Sequence, residues 1–282
     1  FDVSGILEFR GEVFINHADF KSLNDQRIKN DHSPFANPRN CAAGSLRQLN
    51  PQITSERPLR INFYSHGLTS NLNVDSQIDL MNCLPSLGLP INNHVKLGTG
   101  IKEVINYYTK LVNSVPESKI ILYNFEKLCG YKFSIECVQE LVKIFPNNIV
   151  GVKDSSYNLY QDLKIKDFSI LPGSELKLLS SLEIGCSGII TATCNVTAEL
   201  SRKVYDNFFN NVTQTVNNKL CEVRKTFDQF DLISGLHSFL KEKDSDYSNI
   251  LPTLSLLDPK DEKILFNKLK ALDFPAKKNV AA

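Results

Sequence analysis

The chain has 282 residues, 42% of them apolar, and its 32 Lys and Arg residues nearly balance 31 Asp and Glu residues. This length predicts about two domains, and the charge balance excludes an overall field that would attract nucleic acid or a membrane. No apolar run approaches the roughly 18 residues of a membrane helix and no signal peptide opens the chain, so we expect a soluble cytoplasmic protein.

The cysteines and the single methionine give two further expectations. Seven cysteines are scattered without a C-x-x-C pair or a histidine at ligand spacing, which favours reduced, buried thiols over disulfides or a metal site. Met81 is the only methionine and the sequence begins at Phe1, so we expect a piece of a longer protein.

The first hundred residues have the irregular pattern of an α+β fold. Alternating apolar runs predict two strands and helical periodicity predicts three helices: strands at 6–15 and 61–67, helices near 17–29, 75–87 and 101–112. A segment rich in Gly, Asn and Pro at 34–51 predicts a loop. Six of the eight arginines fall within the first 60 residues, which indicates a separate origin for this part.

From about residue 113, apolar strand runs alternate with amphipathic helical stretches. This alternation predicts a parallel sheet with right-handed crossovers. Ser134 is the predicted N-cap of one crossover helix. The predicted strands are KIILYN, IVGVK, FSILPG and GIITA, at 119–124, 149–153, 168–173 and 188–192.

Only helices are predicted beyond these strands. Asp258 and Pro259 predict the start of a last helix, as N-cap and first-turn proline, and the tail 276–282 is expected to fray. An earlier helix is predicted from an apolar stripe of six residues: Val212, Val216, Leu220, Val223, Phe227 and Phe230.

Lys153 ends one of the apolar strands, and Asp154 and two serines follow it. Burial disfavours the charged ammonium, and a neutral amine is a nucleophile that attacks a ketone to give a Schiff base. Tyr123 ends the preceding predicted strand, one βαβ unit earlier, so both side chains are expected at the same rim of the sheet, about 4.8 Å apart. A tyrosine there would move protons for the amine. Spacing alone leaves open the alternative that Lys153 caps a strand in solvent beside Asp154.

The four strand motifs KIILYNF, NIVGVKDSS, FSILPGSE and GCSGIITATCNV resemble strands five to eight of the dihydrodipicolinate synthase and N-acetylneuraminate lyase family. The resemblance covers about 104–282. It implies a (β/α)8-barrel class I aldolase that acts on pyruvate and needs no cofactor beyond its own lysine. By this resemblance Lys153 forms the Schiff base, Tyr123 relays the proton, and Gly173 and Ile190 line the pyruvate pocket.

Two departures from that family narrow the expected activity. The Gly-Thr-Thr-Gly type loop that binds the pyruvate carboxylate does not occur in this sequence, and the turn EKLCG after the fifth strand contains no arginine. A sugar-acid or other 2-oxo-acid aldolase is therefore favoured over a dihydrodipicolinate synthase.

The blocks LEFRGEVFI, PFANPRNCAAGSLRQLNP, RPLRINFYSHG and LPSLGLPINNH resemble the adenylation domain of NAD-dependent bacterial DNA ligases, over about 6–110. Arginine is a planar hydrogen-bond donor suited to phosphate. The resemblance implies that Glu12, Arg39 and Arg47 bind nucleotide and phosphate. NAD and Mg²⁺ are the cofactors of the ligases resembled. The dipeptide Asp-Gly occurs nowhere in the chain, so the adenylated lysine of the K-x-D-G motif is missing and self-adenylation is not expected.

The sequence therefore predicts a chimera with two parts. Residues 1–110 form an α+β nucleotidyltransferase-like fragment, and residues 111–282 form the α/β half of a (β/α)8 TIM barrel, strands five to eight, with carboxyl-terminal helices. The junction is expected within 101–111. We expect pyruvate or another 2-oxo acid as ligand, weak nucleotide or nicked-DNA contact, no membrane and self-association. The alternatives are a catalytically dead fusion and one novel domain that combines both sets of residues.

Overall fold

The structure is a computed structural model that describes residues 5–70, 72, 74–251 and 254–274. The chain divides into two compact units, Phe1–Thr99 and Gly100–Ala282. The predicted junction helix falls in the second unit, and the predicted domain boundary at 110 remains a prediction. The tail at 276–282 lies outside the described residues.

The first unit is an antiparallel strand pair covered by short helices. Strand β1 pairs with β2 in antiparallel register, with Glu12 opposite Asn62, and irregularities interrupt the ladder on both sides of Phe9 and Arg10. Both predicted strands and the three predicted helices are therefore present. The elements are β1 Leu7–Phe14, α1 His17–Lys29, α2 Pro38–Leu46, α3 Pro51–Ser55, β2 Arg60–Thr69, α4 Gln77–Cys83 and a 3₁₀ turn at Leu84–Leu87, with the third helix, α5 Gly100–Ser114, in the second unit.

The predicted loop at 34–51 is wrong over most of its length, because helix α2 occupies Pro38–Leu46. The Asn37 side chain accepts the Asn40 amide at 2.8 Å and Pro38 takes the first helical position, which are two helix-start signals. Cys41 and Ala42 then pack with Ile15 and Leu23 in the core of this unit. The helix starts despite the Gly, Asn and Pro content that suggested a loop.

The second unit contains a parallel sheet in the order β3-β4-β5. Helices α5 and α7 cover one face, where Leu122, Val152 and Ile170 are buried in the largest core cluster. The Ser134 N-cap is confirmed by its bond from the Cys137 amide. The elements are β3 Ile120–Asn124, α6 Glu126–Cys129, α7 Ile135–Ile144, β4 Ile149–Asp154, β5 Ser169–Pro172, a 3₁₀ turn at Glu175–Lys177 and α8 Leu178–Glu183.

The predicted fourth strand at 188–192 is wrong as a regular strand: residues 187–191 lie beside β5 without forming a ladder, and this stretch is called the extended segment below. Its backbone donates to β5 at two points, from Ser187 to Ile170 at 3.0 Å and from Ile190 to Pro172 at 3.1 Å. Among the described residues no strand pairs with its outer edge, so the ladder is not completed on that side. Three regular strands and this segment therefore stand where four strands were predicted.

Helices complete the second unit, as predicted: α9 Cys194–Phe209, α10 Asn217–Phe227, α11 Leu232–Leu240, a 3₁₀ turn at Ser245–Ser248 and α12 Pro259–Ala271. Asp258 caps α12 as expected. The predicted stripe is wrong at its start, because Val212 is exposed and precedes α10. Asn211 has a left-handed φ of 55° just after α9, so the chain turns there instead of continuing a helix. Leu220, Val223 and Phe227 are buried as predicted.

None of the helices in the described ranges is long and apolar enough to cross a membrane.

Candidate active site

Tyr123 and Lys153 lie side by side at the carboxyl ends of β3 and β4. They are register partners in the parallel ladder, so both side chains leave the same face of the sheet. Lys153 Nζ lies 4.1 Å from the centroid of the Tyr123 ring. The strand spacing in the sequence predicted this juxtaposition, and the structure has it.

One cleft of about 460 Å³ contains all four residues that the family resemblance singled out. Lys153 and Tyr123 share it with Gly173, which follows β5, and with Ile190 from the extended segment. The loops after parallel strands build this cleft, as in α/β proteins that bind small ligands.

Lys153 is half-buried rather than fully desolvated, and Tyr123 remains 42% exposed. A cation over an aromatic face within about 6 Å is attracted by the ring quadrupole, by about 0.5–1 kcal/mol at an exposed site. Within the described chain no hydrogen bond joins Nζ to the phenol hydroxyl. The amine therefore rests on the ring face of Tyr123, with open access from the cleft.

Asp154 points to the opposite face from Lys153 and is fully buried. Its Oδ1 accepts from Asn124 Nδ2 at 2.7 Å and from the Tyr157 amide at 2.9 Å. Its Oδ2 accepts from the Leu159 and Tyr160 amides, both at 2.9 Å. These four donors stabilise the carboxylate and wrap the loop 155–160 around it. The alternative in which Lys153 caps the strand in solvent beside Asp154 is therefore wrong for Asp154, which is buried on the other face.

Asn124 connects this carboxylate to the loop that follows β3. Its Nδ2 also donates to Asn158 Oδ1 at 2.8 Å, and its Oδ1 accepts the Phe133 amide at 3.0 Å. Ser156 Oγ accepts the Glu126 amide at 2.9 Å, so the two loops are joined at a second point. The buried network under Tyr123 and Lys153 holds both cleft loops in one arrangement.

Tyr157 is a cleft residue that sequence reasoning missed. It has a left-handed φ of 59°, a conformation that costs a residue with a side chain about 1 kcal/mol or more. The bond from its amide to Asp154 holds it there. Burial raises the pKa of its hydroxyl, and the nearby Arg224 guanidinium opposes that rise. Tyr157 therefore stays a neutral hydrogen-bonding group on the cleft wall.

Gly173 is required by close packing at the end of β5. A Cβ at this position would clash with Ser155 Oγ and would lie 3.1 Å from Ser155 Cβ. The Gly173 amide donates to the Asp154 carbonyl at 3.1 Å. The glycine therefore lets the turn after β5 approach the strand end that bears Lys153.

Arg224, from α10, is a second wall residue that sequence reasoning missed. Its Nη1 lies 2.9 Å from Glu175 Oε2 and 2.9 Å from Thr191 Oγ1, and its Nε lies 2.8 Å from Asp228 Oδ1. No periodicity or spacing in the sequence links α10 to the strand ends, so only the tertiary fold reveals this contact.

The predicted nucleotide residues of the first unit are only partly together. Glu12 and Arg39 line a groove of about 310 Å³, and Arg39 Nε lies 3.7 Å from Glu12 Oε1 in an exposed ion pair. Arg47 is the C-cap of α2, at the opposite end of that helix from Arg39. The helix that replaces the predicted loop therefore separates the two arginines.

The groove offers little room for the cofactors of the ligases. It is at the low end of the volumes of small-molecule sites, large enough for part of a nucleotide and too small to enclose NAD. No group of three or more His, Cys, Asp or Glu residues that could hold a metal occurs within the described ranges. Glu12 is the one carboxylate among the residues that line the groove, and it faces Arg39.

The parallel strands give the second unit an α/β fold with a candidate site at the carboxyl rim of the sheet, and the comparison with solved structures makes this fold TIM-barrel-like. Solved structures share the fold. YagE, a prophage protein from E. coli K12 solved in complex with pyruvate, has a TM-score of 0.55 at 20% identity, over 63% of each chain. N-acetylneuraminate lyase from Fusobacterium nucleatum has a TM-score of 0.53 at 17% identity, over 71% of this chain and 72% of that one.

The chain belongs to the dihydrodipicolinate synthetase family, whose model matches residues 98–271. Residues 2–119 match the model of the NAD-dependent DNA ligase adenylation domain. The DNA ligase of Geotalea daltonii is 46% identical over 106 residues, 38% of this chain and 16% of the ligase. The chain thus spans about a sixth of that ligase and 63% of YagE. The predicted combination of two families in one chain is confirmed.

Proposed function

We propose that the second unit is a class I aldolase whose Lys153 forms a Schiff base with pyruvate or a related 2-oxo acid. The observation that carries this proposal is the register pair of Tyr123 and Lys153, with Nζ 4.1 Å from the ring centroid, in one cleft with Gly173 and Ile190. Membership of the family and the pyruvate bound in the related YagE structure support the choice of ligand.

The chemistry needs one amine and one proton carrier. The Lys153 nitrogen attacks the C2 carbonyl of the 2-oxo acid, and the resulting carbinolamine loses water to give an iminium ion. The iminium then accepts the electron pair of a bond to C3, so that this bond can break or form. Tyr123 supplies the neighbouring hydroxyl that moves protons during these steps.

The departures from the family set the expected substrate and rate. The turn after β3 at 126–130 offers no arginine for a second carboxylate, which favours a sugar acid or another 2-oxo acid over the substrate pair of dihydrodipicolinate synthase. The threonine loop that would hold the pyruvate carboxylate is absent from the sequence. We therefore expect Schiff-base formation with slow turnover. The limiting case is a catalytically dead fusion, with no turnover at all.

Borohydride trapping tests this proposal directly. The full chain is incubated with pyruvate and sodium borohydride, digested and analysed by mass spectrometry. The Lys153 peptide should gain the mass of pyruvic acid less one oxygen atom, because the imine is reduced to a secondary amine after the loss of water. K153R is the matched control, since it keeps the charge and removes the primary amine. An unmodified Lys153 in folded protein would refute the proposal.

A second candidate function, nucleotide binding by the first unit, is favoured by the groove that holds Glu12 and Arg39. Phosphate contacts through arginine strengthen at low salt, so NAD, AMP and a nicked duplex are titrated at low and at physiological ionic strength. We expect weak, salt-sensitive binding that R39Q abolishes and R47Q preserves, because Arg47 lies outside the groove. Equal loss in both variants, or no binding at low salt, would refute it.

A further inference from the structure

Arg224 joins two separate segments of the cleft wall. The turn after β5 contributes Glu175, whose Oε2 lies 2.9 Å from Arg224 Nη1. The extended segment contributes Thr191, whose Oγ1 lies 2.9 Å from the same nitrogen. Thr191 Oγ1 also donates to Glu175 Oε2 at 3.1 Å, so the three side chains close a triangle.

This triangle is shielded from water, which strengthens its hydrogen bonds. Glu175 is completely buried and the Arg224 side chain is 12% exposed. Thr197, on α9, donates to the other carboxylate oxygen of Glu175 at 2.8 Å. A buried ion pair is rigid when its remaining polar atoms are bonded in this way, and it is very sensitive to the loss of one partner.

The two segments that Arg224 joins carry both backbone positions of the proposed pyruvate pocket. Gly173 lies two residues before Glu175, and Ile190 lies one residue before Thr191. We propose that Arg224 is a positioning residue of this cleft: acting through Glu175 and Thr191, it fixes the separation between Gly173 and Ile190. This inference rests on the proposed Schiff-base function of Lys153.

The charges around Arg224 favour an indirect role over direct contact with an anionic substrate. Its single positive charge is already paired with Glu175 at 2.9 Å and with Asp228 at 2.8 Å. At Arg224 itself, a substrate carboxylate would have to compete with two carboxylates for one guanidinium. Arg224 therefore acts on the ligand through the residues it holds.

The test measures two quantities in the trapping reaction: the pyruvate concentration that gives half-maximal trapping, and the maximal trapping rate. R224K keeps the charge beside buried Glu175 but loses the fork that reaches Thr191 and Asp228. T191V removes the bridging hydroxyl with little change of volume, and T191S restores it. The matched control is R202K, because Arg202 makes a two-bond, exposed ion pair with Asp206 on α9, outside the cleft.

We expect R224K and T191V each to raise the half-maximal concentration about tenfold, the usual effect of a lost shielded hydrogen bond, without changing the maximal rate. T191S and R202K should stay within about twofold of the parent chain.

A purely structural role would lower the maximal rate with the folded fraction and leave the half-maximal concentration unchanged, which would overturn the inference. If the parent chain traps pyruvate and no variant changes the half-maximal concentration, the inference fails while the proposed function stands. If the parent chain traps no pyruvate, both fail.

Discussion

Asn124 Nδ2 donates to Asp154 Oδ1 at 2.7 Å, one residue beyond the register pair of Tyr123 and Lys153. Because side chains alternate along a strand, the reactive pair faces the cleft while the amide and the carboxylate face the buried side. A slip of one residue would exchange the two faces, so this buried bond fixes the register that brings Tyr123 to Lys153.

We expect D154N to lower the free energy of unfolding by about 2–4 kcal/mol, because an amide offers one acceptor oxygen and leaves two buried N–H donors unpaired. Urea denaturation, monitored by circular dichroism, measures the loss. D206N is the control, since it removes an exposed ion pair and should cost less than about 1 kcal/mol. Equal stability of D154N and the parent chain would show that the buried network is not needed.

G173A should raise the pyruvate concentration for half-maximal trapping, because the new Cβ collides with Ser155 and pushes the turn after β5 out of place. The expected change is about tenfold or more, as for other overpacked sites near a reactive group. The double variant S155G/G173A removes the colliding atoms and should recover most of the loss. If G173A traps pyruvate as the parent chain does, the close approach has no role in binding.

Burial, helped by neighbouring tyrosines and cysteines, raises the pKa of Tyr108 in helix α5 to about 12. Between about pH 10 and 12 the unfolded chain loses this proton and the folded chain keeps it, so stability is complete below pH 10 and falls as pH rises. We expect Y108F to lose less stability than the parent chain across that interval in urea titrations. Y107F is the control, because Tyr107 is mostly exposed. Identical alkaline profiles for Y108F and the parent chain would contradict the burial of this helix face.

We expect the chain to self-associate. The face of the sheet that bears Lys153 leaves Ile121 47% and Ile190 39% exposed. Within the described residues no regular strand pairs with the outer edge of β3, and two backbone hydrogen bonds from the extended segment are all that cover the outer edge of β5. Analytical ultracentrifugation should detect oligomers, and I121K should weaken them. I28K, a change at an isoleucine of the first unit that is 58% exposed, should leave them unchanged. A monodisperse monomer at all concentrations would contradict this prediction.

Local signals predicted much of the second unit and the core of the site. The apolar runs that end in Tyr123 and Lys153 gave the strands, and the length of one βαβ unit gave their pairing. The capping residues Ser134 and Asp258 marked helix starts correctly because a cap is a contact within a few residues. Helix α2 has the same kind of start signal, Asn37 followed by Pro38. The prediction gave more weight to the Gly, Asn and Pro content of 34–51, and it therefore missed the helix.

The supporting residues of the site could not be predicted in the same way. Arg224 meets Glu175 and Thr191 only through the packing of α10 against the turn after β5, and no spacing encodes that contact. The alternative that put Asp154 in solvent beside Lys153 overlooked that neighbouring side chains along a strand such as β4 point to opposite faces. The incomplete strand at 188–192 depends on what lies beside it, which the strand's own residues do not specify.

The most direct test of the central claim is borohydride trapping of the parent chain with pyruvate, followed by peptide mass analysis and compared with K153R and Y123F. The proposal predicts a reduced adduct on Lys153, none in K153R, and slower trapping in Y123F with the fold unchanged by circular dichroism. An adduct spread over surface lysines, or none on Lys153 in the folded chain, would contradict it.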